Sequence, residues 1–342
     1  MRPLRVVHIV CTDAFAGVER YVLDSALNLT AAGCVVVVVG GSESSMRAPL
    51  ERAGVEWYSG STVSTALRSL RSIARPDALI THMTKADLAG VLAARRFRAP
   101  VVSIRHFASK RGSSAAFRLL ARWMAGRIAA QIAISEYVAA NVDGAATVVH
   151  TGVADATAPI AEREPFVLVA QRLEAEKFTD VALRAWALVT DREPWMLKVA
   201  GDGARRAELE ALSQSLGIAD TVEFLGFRAD VGTLMDRASI FFAPTPREGL
   251  GIAVLEAMAH ETPVVAARAG GHLESVGSVP DAAMFEPGDD SEAAAQLERL
   301  VADSRERRNY GRSLRERQRD AFNIRDQTAR TLEILQSVVT TK

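Results

Sequence analysis

Short apolar runs of strand length alternate with amphipathic segments of helical period along the chain, and this alternation limits the possible folds more than any other feature. In the first half the strand candidates are residues 5–10, 35–40, 78–81, 101–104, 131–134 and 147–150, with helices between them at 18–32, 85–96 and 115–128. Buried strands separated by helices predict a parallel sheet in a doubly wound α/β fold. Residues 154–165 are rich in Ala, Pro and Glu and carry no period, so they read as a linker. The pattern then restarts, with strands at 166–170, 196–200, 221–225, 240–243 and 263–267 and helices at 179–190, 205–216, 231–237, 251–260 and 291–303. Two doubly wound, Rossmann-like domains in series follow, residues 1–153 and 166–322. A last helix within 323–342 is placed to pack back across onto the first domain. Ligands in such sheets bind beyond the carboxyl ends of the strands, so two domains facing each other would enclose a cleft.

A chain of 342 residues is long enough for two such cores. Cys11 and Cys34 lie in or beside apolar runs and form neither a disulfide framework nor a metal-ligand spacing, which suits core positions in a reducing cytoplasm. The apolar stretches are strand-length rather than membrane-spanning, and the run 6–11 is too short for a signal sequence and contains His8. Net charge is zero, but residues 1–150 carry 18 Lys/Arg against 10 Asp/Glu, and the remainder carries the opposite excess. Nine basic residues and no acidic one occur between Arg95 and Arg127, interleaved with Phe97, Phe107, Phe117 and Trp123. On the helix at 115–128, Phe117, Leu120, Met124 and Ile128 share a face flanked by Arg118 and Arg122. This is compatible with a peripheral contact of 95–128 with an anionic membrane, and equally with a helix packed on its own sheet with its arginines in water. The neutral total and the lack of a recognition motif argue against nucleic-acid binding.

The segment 244–259, Pro-Thr-Pro-Arg-Glu-Gly-Leu-Gly-Ile-Ala-Val-Leu-Glu-Ala-Met-Ala, concentrates the chemistry. A Pro- and Gly-rich turn bearing Glu248 opens directly into an apolar helix bearing Glu256. Gly249, Leu250 and Gly251 allow close backbone approach, and a helix N-terminus supplies unpaired donors, together a cradle for an anion. Arg172 and Lys177 follow the strand at 166–170 and offer cations for a diphosphate. Gly201 lies in a second Gly-rich turn after a strand, and Gly226-Phe227 ends another, where exposed backbone and a ring could hold a base or the Phe could fill the core.

These residues, read in order as VAQRLEAEKFTD, LKVAGDGARRAELEALSQSLGIADTVEFLGF and FFAPTPREGLGIAVLEAMAHETPVVAARAGGHLE, resemble the nucleotide-binding domain of family 4 retaining glycosyltransferases, which have the two-domain GT-B architecture and a glycosyltransferase group 1 domain. In the first half Ala16-Gly17-Val18-Glu19-Arg20, His106 and Ser135-Glu136 resemble family features more loosely. The resemblance implies that Arg172 and Lys177 bind the donor diphosphate. Glu248 would hydrogen-bond the donor sugar near the amides of Gly249, Leu250 and Gly251, and Glu256 would hold the ribose. Gly17 would let a first-domain loop approach the diphosphate, and His106 would lie beside the sugar or serve as a structural histidine. Fixed cations and amides stabilise a departing diphosphate without a metal ion or other cofactor. No Asp-x-Asp pair suits a divalent ion.

The implied activity is transfer of a sugar, with retention, from a nucleoside diphosphate sugar (by family frequency a UDP-sugar) to a hydroxyl on a glycan, a lipid-linked acceptor or a small molecule. A GT-B nucleotide-sugar epimerase and a non-catalytic nucleotide-sugar-binding protein are the alternatives. The chain departs from the family pattern where glycines become Ala16, Gln171, Phe178 and Glu261, and an Asn becomes Thr151. Gln171 and Phe178 leave less room around the donor.

Overall fold

The computed structural model describes residues 2–112, 115–156 and 162–340. It comprises two units, Met1–Thr151 with Ile324–Lys342, and Gly152–Asn323. In the first unit the strands are Arg5–Val10 (β1), Val35–Gly40 (β2), Glu56–Tyr58 (β3), Ala78–His82 (β4), Val101–Arg105 (β5), Ala130–Ala133 (β6) and Thr147–Val148 (β7). They form one sheet in the order β3-β2-β1-β4-β5-β6-β7, with every pair parallel. The second unit contains Glu164–Ala170 (β8), Met196–Ala200 (β9), Val222–Gly226 (β10), Ala238–Ala243 (β11), Val264–Ala267 (β12) and Met284–Phe285 (β13), also all parallel, in the order β10-β9-β8-β11-β12-β13. Both sheets therefore reverse their winding once, between β1 and β4 and between β8 and β11. The doubly wound α/β expectation holds in each unit. The strands β3 and β13 escaped the sequence reading because two or three residues are too few to display a period.

The domain limits differ from those read off the sequence. Gly152 and Val153 fall in the second unit, where the Val153 amide donates to the Phe322 carbonyl at 2.9 Å and Gln318 Nε2 donates to the Val153 carbonyl at 3.2 Å. Glu164 and Pro165 open β8 rather than ending a linker, a proline being tolerated at the start of a strand. Residues 157–161 of that stretch lie outside the described residues. The final helix, Ile324–Thr340, packs on the helix Gly17–Ala31 of the first unit and buries Thr331 and Leu335.

The first sheet is buried by Val7, Ile9, Val37, Val39, Leu79 and Val101, which form one cluster with Ala86, Ala89, Ala93 and Phe97 of the helix Met83–Phe97. Each such branched or aromatic side chain contributes roughly 1.5–3 kcal/mol on burial. Cys11 and Cys34 are buried free thiols. Beside this core lies an ionic network that corrects the reading of the basic segment, since Arg105 and Arg111 are buried within the fold. Arg111 donates to Asp87 at 2.6 Å, to Asp143 at 2.7 Å, to Gln131 at 2.8 Å and to Ser103 at 2.8 Å. Arg105 donates to Asp143 at 2.8 Å and to the Ser109 carbonyl at 2.6 Å. Two buried cations persist because each meets a carboxylate. Of the other basic residues, Arg118 and Arg122 on the helix Ala115–Ala125 are exposed, as are Phe107 and Leu119, while Ala121 and Met124 face inward. The Phe117 side chain lies outside the described residues. Among the described residues no helix is long and apolar enough to cross a membrane.

Two of the positions where a family glycine is replaced keep a glycine-like backbone. Phe178 has φ +54° and Glu261 has φ +57°, both left-handed. Glu261 gains a partner, its Oε1 accepting from Arg315 at 3.0 Å, whereas Phe178 stands at the start of the helix Thr179–Leu188 with no side-chain cap.

Phe178→Gly is therefore expected to raise stability by about 0.5–1 kcal/mol in urea unfolding, because it relieves the left-handed strain. Glu261→Gly brings no comparable gain, since it removes one of the carboxylates facing the buried Arg315. Asp87→Ala leaves a buried guanidinium short of its carboxylate and should cost about 3–5 kcal/mol. The Asp143 carboxyl is opposed by burial, yet hydrogen bonds from Arg105 and Arg111 hold it down at about 2. Its contribution is present above the ordinary aspartate value of 3.8 and is lost as pH falls toward 2. An Asp143→Asn variant should flatten that part of the acid-unfolding curve.

Candidate active site

In the second unit the segments leaving β8 and β11 meet beyond the carboxyl ends of the two middle strands, where parallel α/β sheets hold ligands. After β8 the chain runs through Gln171 and Arg172 into a 3₁₀ turn, Ala175–Lys177, and then the helix Thr179–Leu188. After β11 it runs through residues 244–251 into the helix Ile252–Ala259. Lys177 Nζ donates to Glu248 Oε1, with about a quarter or less of either side chain exposed. The two charges thus neutralise one another while remaining reachable.

Gln171 explains how the turn is held. Its Nε2 donates to the Lys177 carbonyl at 2.8 Å and to Thr179 Oγ1 at 2.9 Å, and its Oε1 accepts from Thr245 Oγ1 at 3.1 Å. The amide is thus committed to stapling the two segments together. Arg172 is paired elsewhere, its exposed guanidinium meeting Glu176 at 2.8 Å.

The glycines have separate reasons. Gly201 has φ +147°, and a Cβ there would stand 1.8 Å from the Gln171 carbonyl oxygen; one at Gly203 would stand 2.5 Å from that of Leu173. These turns pack backbone to backbone, so Gly201 is required by the fold independently of any ligand. A Cβ on Gly271 would stand 2.4 Å from the Gly249 carbonyl oxygen, which fixes the loop carrying Glu248 from its other side. Gly251 has φ +85° and caps the helix Ile252–Ala259 with no side-chain hydrogen bond to its first-turn amides. Gly249 and Leu250 are buried, and Glu256 lies half-buried on the second turn of that helix. Gly226 has φ +66°, and its carbonyl accepts from the Gly201 amide at 2.8 Å. Phe227 is 76% exposed, which excludes the core reading. His272 was not foreseen. It is fully buried, its Nδ1 3.2 Å from the Ala267 carbonyl oxygen and its Nε2 without a partner among the described residues. Burial lowers its pKa, with the neighbouring Glu248 charge opposing.

In the first unit Gly17 is exposed at the first position of the helix Gly17–Ala31. Glu19 is buried and closes the preceding loop, accepting from Thr12 Oγ1 at 2.6 Å and from the Ala16 amide at 2.9 Å. His106 follows β5 directly and is 7% exposed. Its Nε2 lies 3.0 Å from His82 Nδ1, and His82 Nε2 lies 2.9 Å from His8 Nδ1. The three rings come from neighbouring parallel strands, β1 and β4 carrying His8 and His82 on the two sides of the winding reversal. Tyr21 stands edge-on to both His82 and His106. Desolvation lowers the His8 and His106 pKa values to about 3, the Arg105 charge adding to the effect at His106. The sequence showed His8 as a polar residue inside a strand and His106 through resemblance; His82 gave no signal, because only strand pairing puts it between them.

Residues 154–317 match the family model for glycosyl transferases group 1, and residues 15–156 match that for glycosyltransferase family 4. The putative glycosyltransferase EpsD of Bacillus subtilis (strain 168) is 33% identical over 139 residues, 40% of this chain and 36% of that protein. The 2-deoxystreptamine glucosyltransferase of Streptomyces kanamyceticus is 31% identical over 145 residues, 42% of this chain and 38% of that protein. The matches thus span well under half the length of these curated relatives. Among solved structures, HepE of Anabaena, crystallised with UDP-glucose, superposes with a TM-score of 0.81 at 20% identity, covering 98% of this chain and 100% of that one. Sucrose-phosphate synthase from Thermosynechococcus elongatus gives 0.79 at 18% identity, covering 99% and 100%. These superpositions establish the GT-B fold, and the two family models between them account for residues 15–317: the chain belongs to glycosyltransferase family 4, with a group 1 domain in its second half.

Proposed function

We propose that this chain transfers a sugar from a nucleoside diphosphate sugar to a hydroxyl acceptor, with retention of anomeric configuration and without a metal ion. The observation that carries the reading is the Lys177–Glu248 pair at the winding reversal of the second sheet, beside the uncapped start of the helix Ile252–Ala259. Cleavage of a sugar–phosphate bond leaves positive charge at the anomeric carbon and negative charge on the departing diphosphate. Lys177, Arg172 and the amides of Gly249, Leu250 and Gly251 would stabilise the negative charge where it develops, in fixed positions that need little reorganisation. With the diphosphate on Lys177, Glu248 is released to accept hydrogen bonds from the donor sugar. Glu256 would hold the ribose hydroxyls, and Gly226 with the exposed Phe227 would receive the base. By the family resemblance His106 would hydrogen-bond the sugar and Gly17 would keep its loop open to the diphosphate. The acceptor hydroxyl attacks from the face the diphosphate leaves, and a phosphate oxygen takes its proton. The UDP-glucose held by the structurally similar HepE supports a UDP-sugar as donor.

A thermal-shift panel of UDP-, GDP-, ADP- and dTDP-sugars should show stabilisation by one base series, since a donor that binds only the folded protein raises its melting temperature by mass action. Lys177→Ala should weaken nucleoside diphosphate binding tenfold or more while the chain stays folded; unchanged affinity by calorimetry would remove Lys177 from the site. Glu248→Gln should keep nucleotide binding and lower turnover by about 100-fold. Transfer should persist in excess chelator. Formation of an epimer from donor alone, with no acceptor present, would replace the transferase reading with an epimerase.

A further inference from the structure

We propose that His8 and His82 are positioning residues that lock His106 in its Nδ1–H tautomer, so that His106 can act as a hydrogen-bond donor and not as a base.

The argument is a count of protons. Each of the two contacts, His8 Nδ1 to His82 Nε2 at 2.9 Å and His82 Nδ1 to His106 Nε2 at 3.0 Å, holds one proton. A neutral imidazole carries a proton on one nitrogen only. Three neutral rings in series therefore have two registers. In the first, His8 Nδ1–H donates to His82, His82 Nδ1–H donates to His106 Nε2, and His106 carries its proton on Nδ1; the one lone pair left over is His8 Nε2. In the second, every proton is reversed, and His8 bears an N–H at Nε2 while His106 Nδ1 is bare.

The sealed end decides between them. His8 is 0% exposed, and its Nε2 is a buried atom with no hydrogen-bond partner among the described residues. An unsatisfied donor at that place is the costlier alternative, since orphaned N–H groups are rarer in folded proteins than under-satisfied acceptors. The first register follows, with the donor at His106. Exchange between registers would require a proton to reach or leave His8 Nε2, which is closed to bulk solvent. The chain is thus a fixed tautomeric clamp and no proton relay.

The same count explains why the rings stay neutral. Protonating His106 on Nε2 would set two N–H groups against each other across the His82 contact, and the only vacant lone pair is the sealed one. Surrounding charges agree with this. The helix Gly17–Ala31 presents Tyr21, whose hydroxyl is raised in pKa by burial, and the chain beside His106 presents the Arg105 cation, which is paired with Asp143. No carboxylate is among the groups that shift the three rings.

The tautomer does not depend on glycosyl transfer; what His106 donates to, an oxygen of the donor sugar, rests on that reading. The test is a long-range proton–nitrogen correlation spectrum of the full chain with nitrogen-15 in its histidines. In the wild type His106 should appear as the Nδ1–H tautomer alone and stay neutral from about pH 8 to about pH 5, across the ordinary histidine range. His82→Leu removes the donor to Nε2, so His106 should become a tautomer mixture that titrates. His82→Gln supplies an amide donor and a carbonyl acceptor in the same place and should restore the single tautomer. In transfer assays His82→Leu should lower kcat tenfold or more and add an acid limb to its pH profile, with nucleoside diphosphate affinity unchanged. An Nε2–H tautomer in the wild type, a His106 cation at about pH 6, or a tautomer indifferent to His82→Leu would each overturn the proposal. An undiminished kcat in His82→Leu, with the tautomers as described, would instead count against the donor-sugar assignment alone.

Discussion

The winding reversal at the centre of each parallel sheet is the constraint on which the remaining architecture hangs. Right-handed crossovers send the helices that follow β1 and β4, or β8 and β11, to opposite faces of their sheets. Between two such strands the carboxyl ends are left uncovered, and the segments that leave them are free to carry chemistry. Lys177 and Glu248 reach each other there because they belong to loops leaving adjacent strands, although 71 positions separate them in the chain. His8 and His82 meet in the other sheet because β1 and β4 are paired neighbours there.

Holding these loops takes more than the sheet. Around the Lys177–Glu248 pair the fixing elements are backbone contacts with no room for a methyl group, at Gly201, Gly203 and Gly271, and one amide side chain, Gln171, that ties both segments. In the first unit the fixing element is electrostatic. Arg105 directly precedes His106, and Arg105 and Arg111 are clamped by Asp87 and Asp143. Precision at each site thus comes from neighbours with no direct role in the proposed chemistry, which is why their substitution threatens the sites through the fold.

How much of this could be read from the sequence follows from the range of the interactions involved. Most strands and nine of the helices were legible, since period is a local property, whereas the helices Val63–Ser69, Glu136–Asn141 and the highly charged Ser304–Ala321 were not read. The turn bearing Glu248, the cations after β8 and the two-unit architecture were legible from pattern and from family resemblance. Long-range pairings left no local trace: the burial of Arg105 and Arg111 inside a run that looked like a basic surface, the staple formed by Gln171, and the alignment of three histidines from β1, β4 and the end of β5. Phe178 and Glu261 occupy an intermediate place. Their departure from glycine was visible, but only the backbone shows that the left-handed turn survived the replacement, at Glu261 with an arginine partner and at Phe178 without one.

The helix Ile324–Thr340 belongs to the first unit although the whole second unit precedes it in the chain. During synthesis the residues of the second unit therefore emerge as one uninterrupted stretch and can complete their fold while the first is still lacking its last helix. Until that helix arrives, the face of Gly17–Ala31 that it covers stays open to the surroundings. The first unit thus begins before the second in the chain and cannot be completed until the second has been translated.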